Sequence, residues 1–102
     1  MIKFNLHNVT DTTTGNKARV HYSINNRVDG RECVTVYHKD HTRAFDKVFA
    51  NHATNGSDLM TNYHEKSKAV FFADDPLYPA ALKAAKRAED KAEAKWLARR
   101  AA

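Results

Sequence analysis

The sequence is poor in cysteine, glycine and proline, and each scarcity excludes a class of protein. One cysteine among 102 residues, Cys33, allows neither an internal disulfide nor a paired-thiolate metal site, which favours a reducing compartment. Three glycines form neither GxGxxG nor GxxxxGK, so a nucleotide-binding loop would be hard to build. No apolar run approaches the roughly 20 residues that cross a bilayer, and residues 1–7 lack the apolar centre of a signal peptide. We therefore expect a cytoplasmic protein without membrane contact.

Residues that could carry catalysis or bind metal are present but dispersed. Of the six histidines, His38 and His41 are the closest pair, and neither HExxH nor a cysteine pair supplies further ligands. The adjacent Asp74 and Asp75 stand where a helix is expected to begin, which already explains them. No serine lies in a nucleophile elbow. The sequence therefore predicts no enzymatic activity, no catalytic residue, no metal and no cofactor.

The first part of the chain has the period-two pattern of β-strands. Apolar residues alternate with polar ones in residues 2–6, 18–24 and 31–38, and residues 10–16 form a polar connection. Asp29-Gly30 between the second and third segments is typical of a hairpin turn. These three strands are expected to form an antiparallel meander.

From Asp40 the period becomes helical. We expect a helix over about residues 41–53, a short helix after Ser57 or Asp58, a strand over 68–73, and a final helix that begins at Asp75 and Pro76. The predicted fold is α+β: an antiparallel sheet, formed by the meander and a fourth strand, packed by helices on one face, with a long C-terminal helix. The expected core comprises Phe4, Leu6, Val20, Tyr22, Val34, Val36, Phe45, Val48, Phe49, Val70, Phe72, Leu77 and Leu82.

The positive charge is concentrated at the end of the chain. The formal net charge is +5, and residues 80–102 contribute +4 of it, with seven cations against Glu89, Asp90 and Glu93. The same segment contains ten of the 16 alanines but only three large apolar residues. We therefore divide the chain into a single α+β domain over residues 1–89 and a projecting, basic, alanine-rich helical tail over residues 90–102.

Basic side chains interleaved with aromatic ones favour contact with nucleic acid. A solvated helix face gives the same pattern, and the three acidic residues interrupt the basic strip. The candidate residues for contact with nucleic acid or another partner are Arg19, Arg27, Arg31, Lys39, Arg43, Lys83, Lys86, Arg87, Lys91, Lys95, Trp96, Arg99 and Arg100.

Three segments, KARVHYS at residues 17–23, DGRECVTVY at 29–37 and PLY at 76–78, resemble a family of small uncharacterised proteins from bacterial and phage genomes. The similarity covers about residues 2–85 and implies no activity. A phage or prophage origin would favour proteins that bind and block a host factor.

Two functions follow from these patterns. The first hypothesis is a non-enzymatic accessory protein that contacts nucleic acid through its basic surface. The alternative is a protein-binding module, such as a phage-type inhibitor of a host factor, and a homodimer through the C-terminal helix is a third arrangement. Salt dependence separates the first two, because phosphate contacts weaken steeply with salt.

Overall fold

A computed structural model describes residues 1–38, 43–54 and 67–101. The elements in chain order are β1 (Ile2–Phe4), β2 (Asn8–Asp11), β3 (Lys17–Arg19), β4 (His21–Val28), β5 (Arg31–His38), α1 (Arg43–Val48), β6 (Ala53–Thr54), β7 (Ser67–Phe72) and α2 (Tyr78–Ala101). The α+β class, the antiparallel pairing and the long C-terminal helix agree with the sequence prediction.

The described strands form two antiparallel sheets where the sequence predicts one. The first has the order β1-β2-β3, and the second has the order β4-β5-β7-β6. The expected second strand, residues 18–24, is divided between them at Val20, whose N–H donates to the carbonyl of His7 instead of to a strand neighbour. This break lets the chain pass from one sheet to the other.

The polar connection predicted for residues 10–16 begins inside a strand. Val9 pairs with Phe4 on one side and with Ala18 on the other, and it is fully buried. Its neighbours are polar, so the segment gives little apolar periodicity, and pairing between two strands decides the conformation instead. The actual turn is short: the carbonyl of Asp11 accepts from the N–H of Gly15, whose φ of 77° suits glycine.

The turn between β4 and β5 forms as predicted. Asp29 and Gly30 both have positive φ, 53° and 75°, which is the backbone of a two-residue hairpin whose twist matches the strands. A register shift between Ser23 and Asn26 places one extra residue in β4. Such a bulge increases the local twist.

The core lies where α1, α2 and both sheets meet. Seven of the expected core residues are buried: Val20, Val34, Val36, Phe45, Val48, Phe49 and Val70. Six are only half-buried: Phe4, Leu6, Tyr22, Phe72, Leu77 and Leu82.

Phe71 occupies the central position that the sequence analysis assigned to Phe72. Phe71 pairs with Val34 across β5 and is fully buried, with the rings of Phe4 and Phe49 edge-on to it at 5.3 and 6.0 Å between centroids. Because β7 is buried along most of both faces, its apolar run carries no parity signal that separates Phe71 from Phe72.

The first helix is shorter than predicted, because the chain turns after Val48. The N–H of His52 donates to the carbonyl of Phe49, and residues 53–54 then pair with β7 as β6. The predicted short helix after Ser57 lies outside the described residues.

The last helix begins at Tyr78, three residues after its expected cap, Asp75. Asp75 holds a preceding turn, in which its Oδ1 accepts from the N–H of Leu77 and its carbonyl accepts from the N–H of Tyr78. The first α-helical bond joins the N–H of Ala81 to the carbonyl of Leu77. The 24 residues of α2 measure about 36 Å along the axis, against a longest molecular dimension of 43 Å. Among the described helices, none has the length and apolar character needed to cross a membrane.

Candidate functional site

The two halves of α2 have different surroundings. In the first half, Ala81, Ala84 and Ala85 are buried, and Ala81 and Ala85 pack in the core with Val34 and Val36. Every residue from Glu89 to Ala101 is exposed. An alanine methyl group permits close approach of the helix to the sheet, whereas the second half presents its side chains to solvent on all sides.

A cation stands at every fourth position along α2. We call the set the cationic ridge; its members are Lys83, Arg87, Lys91, Lys95 and Arg99. Residues four apart are neighbours on a helix, about 6 Å apart along its axis, so the ridge is a continuous row about 24 Å long. All five side chains are exposed, and none has a carboxylate partner among the residues that the structure describes.

The acidic residues of α2 lie beside the ridge and not within it. Glu89 and Glu93 each stand two positions from a ridge residue on either side, about 160° around the helix at 100° per residue. Asp90 is closer, about 60° from Arg87. Lys86 shares the acidic side. Glu89 and Glu93 therefore interrupt the basic strip on the side of Lys86 but lie away from the ridge residues nearest to them in sequence.

Two large apolar side chains are exposed near the end of α2. Trp96 is 54% exposed and Leu97 is 51% exposed, and the guanidinium of Arg100 lies 4.9 Å from the centre of the Trp96 ring. Trp96 lies about 60° from Arg99 around the helix axis, so aromatic surface and ridge charge are adjacent there.

The described candidate cations outside α2 lie on β3, β4 and β5 and at the start of α1, and two of them make contacts of their own. The guanidinium of Arg31 lies over the ring of Phe72 at 3.9 Å and pairs with Asp74 at 2.9 Å. Arg27 donates to the carbonyl of Gly30 across the hairpin turn. Arg19 and Arg43 are exposed, at the end of β3 and at the start of α1. Lys39 lies outside the described residues.

Arg31 also lies on the wrong face of the sheet to join the ridge. Side chains alternate along β5, so Arg31 shares a face with Cys33, whereas Val34 and Val36 on the other face pack with α2. Arg31 is therefore not part of the cationic ridge.

Burial determines the chemistry of two side chains that could otherwise react, Cys33 and Tyr22. Cys33 is buried, and burial raises the pKa of its thiol, which disfavours the reactive thiolate. Burial likewise raises the pKa of the Tyr22 phenol well above its usual value, and its hydroxyl donates to the carbonyl of Asn5. Neither group is prepared for acid–base or nucleophilic chemistry.

One histidine forms an ordered pair with a carboxylate. Nε2 of His52 lies 2.8 Å from Oδ2 of Asp75, and its ring stacks on Phe71 at 4.6 Å between centroids. Nδ1 of His52 is buried and has no hydrogen-bond partner within the described ranges. The carboxylate accepts, so Nε2 carries the proton. The pair joins the turn after α1 to the turn before α2.

In residues 1–38, 43–54 and 67–101, no three histidine, cysteine, aspartate or glutamate side chains are grouped as a metal site would require. Comparison with protein-family models, curated proteins and solved structures finds no match to this chain. The candidate site is therefore defined by its own geometry, of which the cationic ridge is the most regular feature. Counting the sequence at every fourth position from Lys83 would have found it.

Proposed function

We propose that the protein is a non-enzymatic accessory protein that binds the phosphate backbone of nucleic acid along the cationic ridge. The observation that carries this proposal is the row of five exposed cations at four-residue spacing, with Glu89 and Glu93 about 160° around the helix from the ridge residues two positions away. A row of this kind follows a line of phosphates, because each cation can contact one phosphate in turn.

The composition of α2 supports binding that depends little on base sequence. Between Tyr78 and Ala101 the helix contains no asparagine, glutamine, serine or threonine. Amide and hydroxyl side chains read base edges, whereas lysine contributes mainly charge and arginine both charge and guanine recognition. Phosphate contact is therefore expected to supply most of the affinity.

Salt dependence of binding tests the proposal. Five phosphate contacts predict a slope of about −4 to −5 for log K against log salt on duplex DNA, measured by fluorescence anisotropy with a labelled oligonucleotide. The triple variant Arg87→Gln, Lys91→Gln, Lys95→Gln is expected to reduce this slope by about three units. All three positions are exposed, so circular dichroism should show an unchanged fold.

The matched control removes three exposed cations elsewhere: Lys3→Gln, Lys17→Gln and Lys47→Gln. The control has the same net charge as the ridge variant. If the two variants weaken binding equally, net charge alone drives association and the ridge proposal is wrong. Binding retained by the control and lost by the ridge variant would support it.

A second candidate, a protein-binding module, is favoured by the exposure of Trp96 and Leu97. Tryptophan and arginine are the usual anchors of protein interfaces, and here Trp96 and Arg100 are neighbours. A homodimer through α2 is its simplest form, and sedimentation across a range of protein concentrations tests it. Inhibition of a host factor by a phage-type protein stays a prediction from the sequence resemblance.

A further inference from the structure

An open cleft lies between β4, the edge strand of the four-stranded sheet, and α2. Its volume is about 380 Å³, within the usual range for small-ligand sites. The wall on α2 consists of Ala85, Ala88 and Ala92, whose small side chains leave the space open, together with the charged Glu89. Leu6, Tyr22 and Ile24 supply apolar surface opposite, and each of these is half-buried.

The cationic ridge reaches this cleft at its C-terminal end. Positions four apart advance by about 40° around a helix, so the ridge turns slowly as it rises. Viewed down the helix axis, Lys95 lies about 60° from Ala92 and about one turn beyond it. Arg99 lies about 20° from Ala92 and about two turns beyond it. Positive charge therefore stands just past the open end of a cleft that both apolar and polar side chains line, the polar ones being His7, His21, Ser23, Tyr37 and Glu89.

Trp96 borders the same exit from the other side. It lies about 40° from Ala92 and one turn further along α2, and more than half of its side chain is exposed. A chain that leaves the cleft would pass between an aromatic ring and two cations. This combination of stacking surface and phosphate-binding charge is how proteins hold single strands.

We propose that the cleft takes an unpaired base of a single-stranded nucleic acid, with the adjoining phosphates at Lys95 and Arg99 and the next base on Trp96. This inference rests on the proposed function and narrows it to single strands. The base would lie between the alanine wall and the half-buried side chains of Tyr22 and Ile24. Glu89, which lines the cleft about 80° away from Arg99, is placed to accept an N–H of the base edge.

Charge favours this occupant over a second copy of the chain. A second copy whose α2 end lay beside Lys95 and Arg99 would bring its own Lys95 and Arg99 to the same place. Like charges so placed are destabilising, whereas a phosphate between them is attracted.

The test compares a labelled 12-nucleotide single strand with the corresponding 12-base-pair duplex at one salt concentration. Ala92→Leu narrows the cleft at an exposed position and is expected to weaken single-strand binding about tenfold or more, the loss of one stacked base. Duplex binding should stay unchanged. Ala94→Leu adds the same side chain about 160° from the direction of Ala92, at an exposed position of α2, and should change neither affinity.

Three outcomes overturn the inference. If Ala92→Leu leaves single-strand affinity unchanged while the ridge triple variant lowers both affinities, the cleft proposal fails and the ridge proposal stands. If wild-type protein binds neither form, both fail. If sedimentation shows that the wild-type protein is a dimer, that Ala92→Leu dissociates this dimer and that the single strand does not dissociate it, the cleft belongs to a second copy. A wild-type preference for the single strand that Ala92→Leu abolishes supports the proposal, and Trp96→Ala should lower the same preference.

Discussion

Both halves of α2 are rich in alanine and in cations, but they have different surroundings. In the first half Ala81, Ala84 and Ala85 face the sheet and let the helix approach the core; from Glu89 onward, exposed alanines separate charged side chains. Alanine serves the first half through its small size and the second through its high helix propensity. Composition alone therefore does not distinguish a packed helix from an exposed one, and position relative to the sheet does.

The body of the protein and the exposed end of α2 should accordingly respond differently to substitution. Stability is concentrated in the body, where buried rings and methyl groups lose most when truncated. Under the proposed function, binding depends on the exposed end, where substitutions should alter charge and stacking with little effect on folding.

The largest effect on stability is expected for Phe71→Ala. This ring is fully buried against Phe4, Phe49 and His52, so its truncation should cost about 3–5 kcal/mol of unfolding free energy. Phe72→Ala, at the adjacent half-buried position under Arg31, should cost clearly less. Urea unfolding followed by circular dichroism measures both, and equal losses would contradict the assignment of Phe71 to the core centre.

Phe71 also illustrates how far the sequence determines this fold. Alternation located β5 and the first half of β4, and Asp29-Gly30 located the turn between them, because these signals are local. The division into two sheets depends on Val9 pairing with two strands at once, and the choice between Phe71 and Phe72 depends on which face meets α2. Both are set by tertiary contacts that a single sequence does not display.

The candidate site likewise has one part that the sequence predicts and one part that it does not. The helical period predicts the cationic ridge, because helix geometry alone fixes which residues share a side. The cleft combines Leu6 from the connection after β1, Tyr22 from an edge strand and Ala88 from α2, and no spacing in the sequence links these positions. The commitment of Arg31 to Phe72 and Asp74 is likewise visible only in three dimensions.

Two substitutions within α2, with a smaller expected effect on stability, compare its two halves. Ala85→Leu inserts a larger side chain where the helix meets the sheet and should destabilise the protein by about 1–3 kcal/mol. Ala98→Leu makes the same change at an exposed position, where the effect should stay within about 0.5 kcal/mol. Thermal unfolding of the two variants compares them directly, and a destabilised Ala98→Leu would show that the second half also packs.

Substitution at the junction between the body and α2 should cost still less stability. Asp75 accepts from the N–H of Leu77 and pairs with His52, so Asp75→Ala removes two contacts and should cost about 1 kcal/mol. Asp74→Ala removes only an exposed ion pair with Arg31, which contributes little. If urea unfolding at neutral pH gives equal losses for both variants, the turn before α2 does not depend on Asp75.

The smallest effect on stability is expected when the exposed end is removed. Deleting residues 90–102 removes no buried residue among those that the structure describes, so the melting temperature should stay within a few degrees of the intact chain. Helicity should fall by about the deleted share, because these residues are helical through propensity and continuity with the packed half; an isolated helix of such length is marginal in water. Nucleic-acid binding should be lost, since Lys91, Lys95 and Arg99 leave with the segment. Circular dichroism and anisotropy on one preparation separate the two effects, and a truncation that unfolds the body would place part of the core beyond Glu89.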